Sequence, residues 1–384
     1  MSALRLALPL LLACYAPVFA QTGRDTSAIR KRLKLEPTRS WEMRPGTHRP
    51  EILVDGKDVW LVVVDHDGLV RHRAYRYRYP NLDQPVQRFN VARITGRYGA
   101  PADHRALIHQ NELVVVYQSN VMDTNRSRRP PRTGPAENNA TSQNLLLARF
   151  TLGGQEILRK PIVSGVTDFR EDNFPDFCII WHRDRLLVST GTRARKLRIR
   201  EVDLRAKVLA VHDISCGPDT IRSNIGNSFL LNDDGVHLVG SSGPQNPSEI
   251  LTITRLDNDL SPLHTKRLNS LDVQQHFPTD NLLVDGNTFI TYISRKWKPR
   301  QRGLEGNPYN ACLKIIDSDR EKILEDLVVG KRGFAHVHPT LARIGDRLLV
   351  AWSRRNERTK NRGPRSMPQV VIQEYRMINL SSET

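Results

Sequence analysis

The residues best suited to chemistry recur as polar pairs placed just ahead of short apolar runs. They are His48 and Arg49, His104 and Arg105, Asp172 and Asn173, Asn224 and Asn227, His276 and Asp280, and His336 and His338. Imidazoles titrate near neutrality, so they suit a general base, and a group of them suits metal ligation. Guanidinium groups bind carboxylates and sulfates through two parallel hydrogen bonds. Arg49, Arg105, Arg193, Arg295, Arg354 and Arg355 all fall at the ends of expected strands. Trp297 and Tyr309 lie in a basic stretch with Lys296 and Arg300, where an aromatic ring can stack on a sugar. Asp65, Asp172 and Asp280 are candidate carboxylates, and Tyr117 and Tyr292 candidate phenols. A uronate lyase needs a group that neutralises a carboxylate and a His or Tyr base; a glycosidase needs two carboxylates at a defined separation. The candidate catalytic residues are therefore His104, His276, His338, Asp172 and Tyr292. The candidate substrate-binding residues are His48, Arg49, Arg105, Asn173, Asn224, Arg295, Trp297, Arg354 and Arg355. No cofactor is expected; the histidines alone would accept a divalent metal, but no ligand motif of fixed spacing accompanies them. The competing reading is that each polar opening satisfies backbone groups of the turn before its strand.

The elements that position these residues repeat. The phrases THRPEILVDGKDVWLVVVD from Thr47, ADHRALIHQNELVVVYQS from Ala102, NFPDFCIIWHRDRLLVSTG from Asn173, SNIGNSFLLNDDGVHLVGSS from Ser223, HFPTDNLLVDGNTFITYIS from His276 and AHVHPTLARIGDRLLVAWS from Ala335 share one pattern. A repeat of about 50–60 residues built from short strands indicates a β-propeller. The expected fold is all-β, with about six four-stranded blades near 40–92, 93–163, 164–216, 217–270, 271–330 and 331–384. Within each blade an inner strand A opens on the polar pair and strand B is the apolar run. Strand C alternates with period two, and strand D returns after a Gly-, Asp- or Asn-rich turn. The stretch IRKRLKLEP near the N-terminus resembles the outer strands and is expected to complete the last blade, closing the ring. Strand direction then places the polar openings on one face with three long basic B–C loops, 119–143, 295–309 and 354–368. The alternation Tyr75-Arg76-Tyr77-Arg78-Tyr79 fits a strand with one face in the sheet.

The first 20 residues read as a signal peptide. Arg5 is the basic start, Leu6–Ala13 the apolar segment, and Val18-Phe19-Ala20 the cleavage site, which leaves a single propeller domain over 21–384. A rival reading makes Cys14 a lipid-anchor site. No later apolar run is long enough to span a bilayer as a helix, so export to the periplasm or the medium is expected. Cys178, Cys216 and Cys312 remain after cleavage; an odd, sparse set is no disulfide framework and reads as buried small hydrophobes. The net charge of +17 and a pI of about 10.1 draw polyanions. For an exported chain these are acidic or sulfated polysaccharides rather than nucleic acid.

The phrase Pro339-x8-Leu348-Leu349-Val350-Ala351-Trp352, with Gly345 in its turn, resembles the strands of sialidase-like BNR-repeat propellers. Arg49-Pro50 resembles that family's early Arg-x-Pro motif without the intervening residue. The family's Asp box, Ser-x-Asp-x-Gly-x-x-Trp, does not occur. The resemblance implies a six-bladed ring, a glycan ligand, and a role for Arg49 in clamping a substrate carboxylate. The expected function is an exported, monomeric propeller that binds a sulfated, uronate or sialylated carbohydrate and, if an enzyme, cleaves it as a glycosidase or polysaccharide lyase. The alternative is a non-catalytic scaffold or binding module for a protein, glycan or anionic surface.

Overall fold

The computed structural model describes residues 32–66, 71–93, 103–122, 140–166, 173–191, 196–215, 228–232, 235–242, 250–268, 274–296, 310–318, 322–330, 334–356 and 367–380. They form twenty-four strands, numbered β1 to β24 along the chain, and no helix is present among them. The strands make six four-stranded antiparallel sheets arranged as the blades of a propeller. Blade one consists of β2 (Thr47–Asp55), β3 (Asp58–Asp65), β4 (Arg71–Arg78) and β5 (Gln87–Arg93). The next four blades follow the same order of inner to outer strand.

The last blade is assembled from both ends of the chain. β22 (Phe334–Ile344), β23 (Arg347–Asn356) and β24 (Gln369–Leu380) are joined at the outer edge by β1 (Arg32–Glu42). Gln373 Nε2 donates to the Arg39 carbonyl at 2.7 Å, and the Met43 amide to the Val370 carbonyl at 2.9 Å. Arg354 grips Glu42 with two bonds of 2.7 and 2.8 Å. Closing the ring with a remote strand covers the β24 edge, which would otherwise invite pairing with another chain. Leu35–Met377 is one compact unit; the described ends Arg32–Lys34 and Ile378–Leu380 fall outside it.

Blades are held together by apolar layers between neighbouring sheets. Both faces of an inner sheet are covered, so the B strands are apolar throughout rather than alternating. In β3 every residue of DVWLVVVD is buried. Val59, Leu61 and Val63 pack against Leu349, Ala351 and Val370 of blade six, while Trp60 and Val62 pack against Leu113 and Val115 of blade two. The outer strand β21 (Lys322–Val328) alternates instead along KILEDLV.

The C–D turns of blades two, three and four use one device. The first residue, Thr151, Asp203 or Asp257, receives through its side-chain oxygen the amide four residues on, at 3.1, 2.8 and 2.8 Å. The fourth residue takes positive φ: 86° at Gly154, 67° at Ala206 and 60° at Leu260. Ala206 and Leu260 use that position to bury a side chain against the preceding blade. At Gly154 Phe89 already fills the space, and an added Cβ would lie 2.7 Å from its Cδ1. Gly154→Ala is therefore expected to lose about 1–3 kcal/mol through overpacking. Urea unfolding checks this; an unchanged midpoint would show that Phe89 moves aside freely.

Candidate functional site

The inner strands converge on the centre of the ring, and several are irregular there. The pairing register shifts between His48 and Glu51 in β2 and between Val337 and Thr340 in β22. It shifts also between Pro278 and Asp280 in β18 (Gln274–Val284) and between Asn173 and Cys178 in β10 (Asn173–His182). Each irregularity carries a proline, which has no N–H for the ladder. In blades one and six the residues ahead of the proline, Arg49 and His338, have φ of 52° and 53°. A residue with a side chain pays about 1–3 kcal/mol for such backbone, and strain of this kind concentrates at functional sites. The Arg49 amide is tied across to blade six, donating to Ser353 Oγ at 2.7 Å.

These bulges bring charged groups from different blades together. Arg105, from β6 (His104–His109), reaches Glu51 Oε2 of blade one with Nη1 at 3.1 Å and donates from Nε to the Phe177 carbonyl of blade three at 2.9 Å. Arg49 Nη1 lies 3.1 Å from Asp103 Oδ1, whose other oxygen is buried without a hydrogen-bond partner among the described residues. Asp280 of blade five accepts from Thr340 Oγ1 at 2.6 Å and from the Leu341 amide at 2.9 Å. Arg105 feels Glu51, Asp103 and Asp280 at once, so the two sides of the channel are in electrostatic contact.

Burial dominates the protonation states. It pushes the Glu51 carboxyl up to about 8; Arg105 pulls the other way, and Asp280 and Asp103 add to the rise. Asp280 is raised by burial as well, against its hydrogen bonds and Arg105. The His338 imidazole is held well below its usual range by burial and then by Arg49, Arg105, His48 and His104. His104 falls to about 4. At neutral pH the centre thus offers two guanidinium groups, a protonated Glu51 and neutral imidazoles. Guanidinium groups are of the kind that hold an oxyanion, and a protonated carboxyl is of the kind that can donate a proton.

The structure brings His48, Arg49, His104, Arg105, Asp280 and His338 into one neighbourhood. Within it His104 is buried behind the channel wall. Its Nε2 bonds the Val62 carbonyl at 3.0 Å, so that nitrogen carries the proton, and Nδ1 accepts from His72 Nδ1 at 2.9 Å. His48 stacks on His66 with centroids 4.7 Å apart. Tyr292 is placed elsewhere: it is 2% exposed in the interior of blade five, where its hydroxyl and the Lys314 ammonium share Asp326. Arg354 is engaged with Glu42 and Gln369 at the ring closure. Asn173, His276, Arg295 and Arg355 lie on described strands, but their side chains, with Asp172, Asn224 and Trp297, are outside the described residues, as is the segment 1–20. Cys178 and Cys312 are buried free thiols, both pushed up to about 12 by burial. No group of three or more His, Cys, Asp or Glu able to hold a metal ion occurs among the described residues. No helix there is long and apolar enough to cross a membrane. Two carboxylates escaped the sequence reading, Glu51 and Asp103. Both were within reach of it: Glu51 stands two residues after Arg49, and Asp103 directly precedes His104.

The ring and its closure together define a six-bladed β-propeller. The NanB sialidase of Streptococcus pneumoniae, solved with 2-[(3-chlorobenzyl)ammonio]ethanesulfonate, aligns with 89% of this chain and 70% of its own at a TM-score of 0.54 and 7% identity. A Trypanosoma rangeli sialidase mutant with trans-sialidase activity aligns with 89% of this chain and 58% of its own, at a TM-score of 0.51 and 8% identity. A thermostable family-43 glycoside hydrolase covers 89% of this chain and 95% of its own at 0.42 and 10%. At these identities the likeness is one of fold. No protein-family model matches the sequence, and no curated protein matches it significantly.

Proposed function

We propose that this chain is an exported propeller that binds an anionic carbohydrate at the centre of the ring. The observation that carries the reading is the pair of strained bulges at Arg49 and His338, which set Arg49 against Asp103 and His338 within reach of Arg49 and Arg105, beside the Arg105–Glu51 pair. Arg49 and Arg105 receive the carboxylate or sulfate, and neutral imidazoles supply further hydrogen bonds. The solved sialidases of the same fold, and a net charge of +17, support a negatively charged sugar as ligand.

A second reading adds cleavage. A Glu51 that keeps its proton up to about pH 8, with Asp280 close by, has the makings of an acid and its partner carboxylate. The screen uses the mature chain against sulfated, uronate and sialylated polysaccharides over a range of salt, reading retention together with new reducing ends and unsaturated products. Arg49→Ala is expected to weaken binding by about tenfold or more, the loss of one charge-assisted contact. Equal binding by the variant, or none by the unmodified chain, would overturn the anion reading. Binding without product from any substrate would leave a binding module.

A further inference from the structure

Blade one carries a second group of guanidinium side chains that the channel does not use. β4 and β5 pair Arg73 with Asn90 and Tyr75 with Arg88, and Arg71 stands two residues before Arg73 on the same sheet face. Arg73, Arg88, Phe89 and Asn90 line a hollow of about 180 Å3. Arg73 is buried; it donates to Asp65 Oδ2 at 2.8 Å and, from Nε, to Asn90 Oδ1 at 3.3 Å. Arg44 grips the same Asp65. Arg71 and Arg88 have no hydrogen-bond or ion-pair partner among the described residues, and the Arg71 Nε is shut away from solvent.

Of these arginines, Arg73 and Arg88 line the hollow; the Asp65 carboxylate is shared by Arg44 and Arg73, which leaves Arg88 without a counter-ion among the described residues. The Asn90 oxygen is spent on Arg73, which leaves its NH2 as a donor. The side chains lining the hollow therefore present donors and no free acceptor. Such a lining is complementary to a tetrahedral oxyanion, which accepts through every oxygen and relieves the repulsion between the arginines.

We propose that this hollow is an oxyanion site, separate from the channel, that takes a sulfate group, either free or carried on a polysaccharide. Calorimetry on the full chain at low ionic strength tests it, with sodium sulfate and a sulfated oligosaccharide as the probes and chloride as the background. Sulfate is expected to bind, and Arg88→Ala to weaken it about tenfold. Arg88 is exposed and bears no contact that folding needs, whereas Arg49→Ala, which acts on the channel, should leave this event unchanged. An oligosaccharide that binds with the same dependence on Arg88 assigns the site to glycan sulfate; sulfate binding alone assigns it to the free ion. Sulfate binding that is absent, indifferent to Arg88, or lost only with Arg49 would overturn the proposal. The last outcome would leave the channel reading intact.

Discussion

Asp65→Ala is expected to destabilise the protein by about 3–5 kcal/mol, the range for removing one partner of a buried charge pair. Asp65 is 1% exposed and ends strand β3. It takes hydrogen bonds from Arg44, from Arg73 at 2.8 Å and from the Tyr75 hydroxyl at 2.5 Å. Burial alone would raise its pKa, but Tyr75, Arg44 and Arg73 overcome this and hold the carboxyl below its usual value. Without it the buried Arg73 keeps its charge and loses its counter-ion. Arg44→Ala serves as the comparison: its side chain is 43% exposed, and an exposed pair is worth about 0–1 kcal/mol. The sign of the pH dependence follows from the lowered pKa. The Asp65 contribution is fully present above pH 3.8, and it is lost as the pH falls through the lower folded value. Acid unfolding of the variant should therefore be shallower. Equal losses for Asp65→Ala and Arg44→Ala in urea would show that Arg73 finds water instead.

The sequence makes the ring legible because its signal is local. Six phrases repeat a polar opening, an apolar B strand and a period-two C strand, and each of these rests on near neighbours along the chain. Even the closing strand could be read, since the β1 segment matches the outer strands. The inner bulges left a trace as well, the prolines at 50, 278 and 339. What could not be read is pairing at a distance. Arg354 sits at a strand end, as a ligand arginine would, yet its partner is Glu42, 312 positions away. Tyr292 lies near the end of an apolar run like a site phenol, but its hydroxyl donates to Asp326 and the Lys314 ammonium sits over its ring. Glu51 was overlooked for the opposite reason. In the phrase it looks like the solvent-facing member of an alternating strand. The bulge at Arg49-Pro50 puts two residues opposite Val63 alone, and this one extra residue shifts the register and turns Glu51 inward to Arg105. A register shift inverts the face of every later residue, and sequence alternation alone does not fix where it falls.

That inversion makes Glu51→Gln the most informative single change in the channel. The folded carboxyl keeps its proton to about pH 8, while the unfolded chain loses it near 4.5. Between those values the native state binds the extra proton, so stability falls as the pH rises, by about 1.4 kcal/mol for each pH unit crossed. Below pH 4.5 both states are protonated and the term vanishes. Glutamine has the shape of the protonated acid and still accepts from Arg105 through its carbonyl oxygen, but it has no proton to lose. The variant should therefore match the unmodified protein near pH 4.5 and exceed it progressively toward pH 8, which urea unfolding at a series of pH values would record. Anion binding near neutrality should persist, since a neutral group replaces a neutral group. If the ring also cleaves its ligand with Glu51 as the acid, turnover should fall by about 10²–10⁴ while binding stays. A variant that keeps full turnover removes Glu51 from the chemistry. A variant whose stability follows the same pH course as the unmodified protein removes the buried proton on which its acid role rests.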